Sequence, residues 1–137
     1  MHIDKNNPEA CWISWILRLA IALLFAVASA SKFIGGLENT AGYITSMFKD
    51  TFLPAALVNI YAHVLPFAEA LVPLWLLTGI KLREGWIFTA LVLVSLAFGM
   101  SVAKQPTAAD VYMLVAIACA GLYFSRFDCC QLSCKKS

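Results

Sequence analysis

Arg18 lies inside one long apolar run of this chain, and His63 and Glu69 lie inside another. A charged side chain at the centre of a membrane helix costs roughly 2.5 to 3.5 kcal/mol on insertion scales, so residues of this kind are expected to pair or to do chemistry. Arg18 and Glu69 are the candidate catalytic residues. Each lies about seven or eight residues inside its run from the same side, which at about 1.5 Å per residue places both roughly 10 to 12 Å deep, where they could meet. An Arg–carboxylate pair satisfies both groups in a low dielectric. It could handle protons or orient a ligand, or it could only set helix register.

His63 stands one helical turn from Asn59 on the same face. The two are candidate ligand-binding residues, through a hydrogen bond to a ligand carbonyl or a proton relay, with hydrogen-bonded packing as the plainer reading. Zinc and copper need more nitrogen or sulfur ligands than this helix offers, so no metal is expected there. Lys32 is a third ligand-binding candidate. Together with Asp110 it is expected near the outer interface, where long cations snorkel and the two could pair.

Of five cysteines, Cys11 opens the first run, and Cys129, Cys130 and Cys134 follow the last. These four are weak metal candidates, because C-C-x-x-x-C is neither the C-x-x-C of thiol oxidoreductases nor a zinc-knuckle spacing. They read as juxtamembrane thiols, reduced if the termini are cytoplasmic, with metal binding, redox exchange or lipidation as alternatives. Cys119 is expected to pack within its span.

The elements that must position these residues are membrane helices. Hydrophobic residues make up 61% and charged residues 13% of the 137 residues, and the mean hydropathy is +0.80. The expected fold is all-α: an integral membrane four-helix bundle forming a single membrane domain over residues 1–137, with spans at about 11–33, 55–77, 85–102 and 108–125. Trp12, Trp15 and Lys32 would anchor the first span. Its Ala28-Ser29-Ala30 has the small-residue pattern of a signal-peptidase site, but the apolar run already begins at Cys11, and the span is expected to be retained.

Between Gly35-Gly36 and Pro54 an amphipathic interfacial helix is expected over about residues 38–52. Ala41, Ile44, Met47, Phe48 and Phe52 would share its apolar face, with Ser46, Lys49 and Asp50 opposite. Pro66 and Pro73 free backbone carbonyls inside the second span. Residues 126–137 form a cysteine-containing tail. The net charge of +2 does not argue for nucleic acid. Lys5, Lys81, Arg83, Arg126, Lys135 and Lys136 outnumber Lys32, Lys49 and Lys104, which puts both termini in the cytoplasm.

Arg18-Leu19-Ala20, Phe25 and Lys32-Phe33 resemble the first helix of the DoxX-like membrane proteins, and Leu53-Pro54 follows in the expected order. Leu65-Pro66-Phe67-Ala68-Glu69 and Leu76-Leu77-Thr78-Gly79 are similar to the proline-to-glutamate second helix shared by DoxX and the related MauE proteins. The resemblance runs over about residues 16 to 124. Ala28-Ser29-Ala30-Ser31 and Val72-Pro73-Leu74-Trp75 depart from it, standing where the family is often glycine-rich. It implies a four-helix protein of the bacterial inner membrane, linked to quinone-dependent oxidoreductases, oxidative-stress complexes or maturation of periplasmic redox enzymes.

On that basis the expected function is an accessory subunit of a quinone-linked redox system. The chain would be at most a membrane subunit of an oxidoreductase, with no built-in cofactor and with quinone as the candidate ligand. Lipid, a redox partner protein or a second copy of the chain are the expected partners. A non-catalytic assembly protein, docking partners through the amphipathic helix, is the second class. A small proton-coupled transporter is the third, although small multidrug antiporters carry their membrane glutamate in the first helix and this chain carries it in the second.

Overall fold

The computed structural model describes residues 8–127, and these are helical throughout apart from short connections. Five α-helices follow in order: α1 Pro8–Gly35, α2 Leu37–Met47, α3 Ala55–Thr78, α4 Leu82–Val102 and α5 Ala108–Phe124, with a short 3₁₀ turn at Ser125–Phe127. α1, α3 and α4 are long and apolar enough to cross a membrane, whereas α5 is a shorter apolar helix of 17 residues. The outer surface is apolar as well, with Leu23, Val27, Leu74, Leu91 and Met113 exposed. Such a surface is stable only in lipid, where every backbone polar group is satisfied within helices. This is an integral membrane protein.

The helix ends follow the punctuation of the sequence. Pro8 occupies the first helical position of α1, where its missing N–H costs nothing. The chain leaves α1 through Gly36, whose φ of 91° glycine alone adopts readily. Pro54 precedes α3, and Gly79 closes it in the left-handed conformation at φ 70°. α4 begins at Leu82, a turn earlier than the hydropathy suggested, after Lys81 at φ 45°.

α1 packs against α3 and α5, and α4 packs against the same two helices. The main core lies among them, built around Phe25, Val72, Leu76, Trp86, Leu93 and Ala118. Gly121 lets α5 approach α4, since a Cβ at this position would lie 2.5 Å from the Trp86 ring. Trp75 stacks on Phe88 at 5.6 Å between ring centroids and donates to the Ile80 carbonyl at 2.9 Å.

α2 differs from its expected form. It ends at Met47, so Phe52 lies beyond it and is 80% exposed. The apolar side formed by Ala41, Ile44 and Phe48 is buried against Val58, Ala62 and Leu65 of α3. An amphipathic face seals equally well against lipid or protein, and here α3 takes most of it. Cys119 lies within α5, where it is free and on the exposed side of the helix.

Candidate functional site

Glu69 is 2% exposed, at the centre of the buried stripe of α3, and its carboxylate is paired with the ammonium of Lys32 from the last turn of α1. The Lys32 side chain is 24% exposed. Beside it, Phe33 meets Phe67 edge to face at 5.7 Å. These two contacts tie the end of α1 to the middle of α3. Lys32 thus pairs with Glu69 and not with Asp110, which is exposed in the first turn of α5.

The expected meeting of Arg18 with Glu69 does not occur. Arg18 is 2% exposed and donates to the Leu76 carbonyl from Nε at 2.9 Å and from Nη2 at 2.6 Å, and to the Leu77 carbonyl at 3.5 Å. Trp15 stacks on its guanidinium at 4.9 Å. Both carbonyls belong to the last turn of α3, where the helix leaves its acceptors without internal partners. Thr78 Oγ covers the adjacent Trp75 carbonyl at 2.8 Å. Arg18 therefore caps α3, and its positive charge sits at the negative end of the helix dipole.

Side-chain direction explains the exchange of partners. A helical side chain leans toward the N-terminus of its own helix. α1 and α3 run antiparallel, so Arg18 and Glu69 lean apart while Lys32 and Glu69 lean together. Depth counted along the backbone misses this, because the lean and the long stem of a lysine or arginine shift its charge by a turn or more.

Lys32 borders a chamber of about 400 Å³ whose other walls include Thr40, Tyr43 and Met47 of α2, Tyr61 and Leu65 of α3, and Leu96 and Met100 of α4. Gln105 and Thr107, from the turn between α4 and α5, close one side. The chamber thus offers one ammonium, several hydroxyls and one amide among apolar walls, which suits a mostly apolar ligand carrying hydrogen-bond acceptors. Tyr61 was missed in the sequence. Its position two turns before Glu69 on nearly the same face was the available signal. Gln105 and Thr107 lie in a turn and gave none.

Asn59 and His63 are not part of this chamber. They line a separate open groove of about 530 Å³ with Glu38, Thr45, Ser46 and Lys49, between the polar side of α2 and the start of α3. His63 Nδ1 lies 2.8 Å from the Asn59 backbone carbonyl, so the expected neighbourhood of the two residues involves the backbone of Asn59. Among the described residues no group of three or more potential metal-binding side chains comes together. Cys11 is disulfide-bonded, where a reduced thiol is expected at a cytoplasmic end. Cys129, Cys130 and Cys134 lie outside the described residues.

No curated protein and no solved structure matches this chain. A family model does match, over residues 10–105, described as methylamine utilisation protein MauE. The matched segment covers all but the first two residues of α1, the whole of α2 to α4, and both members of the Lys32–Glu69 pair. Of the two related families that the helix motifs resemble, the match is to the second: the chain belongs to the MauE family.

Proposed function

We propose that this protein is a four-helix inner-membrane subunit, accessory to a quinone-linked redox system, and that it binds a quinone ring in the chamber edged by Lys32. The observation that carries this reading is a buried ion pair at the border of a chamber that is otherwise mostly apolar. Lys32 can donate to a ring carbonyl without leaving Glu69, because an ammonium has three donors. Gln105 adds a side-chain amide donor, and Leu65, Leu96 and Met100 supply the apolar contacts that a ring needs. Electrons would come from a partner protein, because the sequence carries no haem, flavin or nucleotide-binding signature.

On the lysine and arginine asymmetry the termini would face the cytoplasm. There, a disulfide at Cys11 would be of the transient kind that belongs to redox exchange, in keeping with a redox-linked role.

The test is quinone binding in lipid discs, measured by tryptophan quenching and by extraction of copurified quinone, for the native chain and for the folded variants Glu69→Gln and Lys32→Met. Saturable binding that both variants weaken supports the reading. No binding by the folded native chain overturns it. In that case the open groove of Glu38, Lys49, Asn59 and His63 favours the second reading, an assembly protein that docks a polar partner segment across α2 and α3. Partner association would then survive Glu69→Gln.

A further inference from the structure

Beside the Lys32 chamber lies a second one, of about 220 Å³, walled by Leu57, Val58 and Tyr61 of α3, by Ser95, Phe98 and Gly99 of α4, and by Phe48 and Leu53 of the connection after α2. The two chambers share Phe48, Tyr61 and Gly99. Their chemistry differs. The second has almost no polar lining, because Tyr61 and Ser95 lie 3.3 Å apart and use their hydroxyls on one another, and Ser95 also donates to the Val92 carbonyl at 2.8 Å. An apolar cavity of about 150 Å³ stays dry and takes up a benzene-sized molecule, so this larger one is a site for hydrocarbon and not for water.

Its mouth opens on the lipid side. Leu57 is 56% and Phe98 is 53% exposed, on neighbouring helices whose outer faces are apolar. The inner wall is thin. Gly99 has no side chain, and the Phe48 ring fills the place a larger residue would take, since a Cβ there would lie 3.3 Å from Phe48 Cζ.

We propose that the second chamber binds the hydrocarbon chain of the ligand whose head lies against Lys32, and that this chain enters sideways from the bilayer between α3 and α4. The proposal rests on the headgroup reading above. It adds a subsite and an orientation: the ligand is an amphiphile with a polar ring and an apolar tail, the tail crossing the Phe48 and Gly99 wall toward Leu57 and Phe98. A chamber edged by an ammonium, separated only by the Phe48 and Gly99 wall from a dry one that opens on lipid, has the shape such a molecule requires. Neither chamber alone calls for a tail.

The experiment uses the full chain in lipid discs and two photoreactive quinones, one with a diazirine on the ring and the other with a diazirine in the middle of a ten-carbon tail. Crosslinks are mapped by peptide mass spectrometry, with and without excess unlabelled tailed quinone. The expected result is competed labelling around Tyr61 and Lys32 by the ring probe, and competed labelling at Leu57 and Phe98 by the tail probe. Leu57→Trp is half exposed to lipid and lines only the second chamber, so it should fold, fill the mouth and abolish tail labelling at Phe98 while leaving ring labelling in place. Tail labels scattered over lipid-facing positions, or labels at Phe98 that competitor does not remove, overturn the tail subsite and leave the headgroup reading standing. Absence of competed ring labelling overturns both.

Discussion

Lys32 of α1 and Glu69 of α3 form an ion pair in which the carboxylate is almost fully buried and the lysine keeps a quarter of its surface. That asymmetry decides how the pair responds to mutation. Without Lys32, Glu69 must be protonated or remain as an uncompensated buried charge. Without Glu69, Lys32 has a long stem and a partly open path toward a more polar environment.

Lys32→Met is accordingly expected to destabilise the protein by about 3 kcal/mol, in the range for breaking a buried pair. Glu69→Gln should cost less, about 1 to 2 kcal/mol, because an amide keeps a hydrogen-bond acceptor for Lys32. The double variant Lys32→Met with Glu69→Leu should recover much of the loss. Reversible unfolding in detergent reads all three. Equal losses in the two single variants, with no recovery in the double one, would show that the pair is not a unit.

Arg18 should behave as a helix cap and not as the partner of Glu69. Arg18→Lys replaces a planar fork that reaches two carbonyls by a point charge, and a loss of about 1 to 3 kcal/mol is expected. Leu76, which holds Arg18, is seven residues from Glu69, two turns or about 10 Å along α3. Losses from Arg18→Lys and Glu69→Gln should therefore add to within about 0.5 kcal/mol in a double-mutant cycle. A larger coupling energy would mean that the two charges interact after all.

Gly121 is set against the face of Trp86, a fully buried ring whose Nε1 has no hydrogen-bond partner among the described residues. Gly121→Ala forces the ring aside and should cost about 1 to 3 kcal/mol by overpacking, despite the better helix propensity of alanine. Trp86→Phe gives up no hydrogen bond and makes room, so adding it to Gly121→Ala should return part of the stability. Thermal unfolding in detergent distinguishes this from a simple propensity gain, which would raise the midpoint.

The cysteines offer a chemical check. Cys119 is exposed and free, and Cys11 is disulfide-bonded. A membrane-permeant maleimide should label Cys119 without reductant and Cys11 only after reduction, as read by peptide mapping. Labelling of Cys11 in the unreduced protein would return it to the plain juxtamembrane thiol that its position in the sequence suggests.

The amino-acid sequence by itself determined that the chain is helical and membrane-embedded, and where most helices begin and end. Hydropathy, Pro54 and the glycines at 35, 36 and 79 act over a few residues and can be read locally. It also singled out Arg18, His63 and Glu69, because a polar or charged group inside an apolar run is costly wherever the run folds, and Lys32 as a cation at the end of its span. Which of them meet was decided only by the tertiary structure. Arg18 and Glu69 start at similar depths, yet antiparallel packing makes their side chains lean apart and brings Lys32 inward. The same holds for the chambers. Their walls combine Lys32, Tyr61, Phe48, Gly99 and Gln105 from distant parts of the chain, and α2 covers them by turning its apolar face to α3. No periodicity within one helix encodes a void between several, so the charged residues could be named from the sequence while Tyr61, Gln105 and the company they all keep could not.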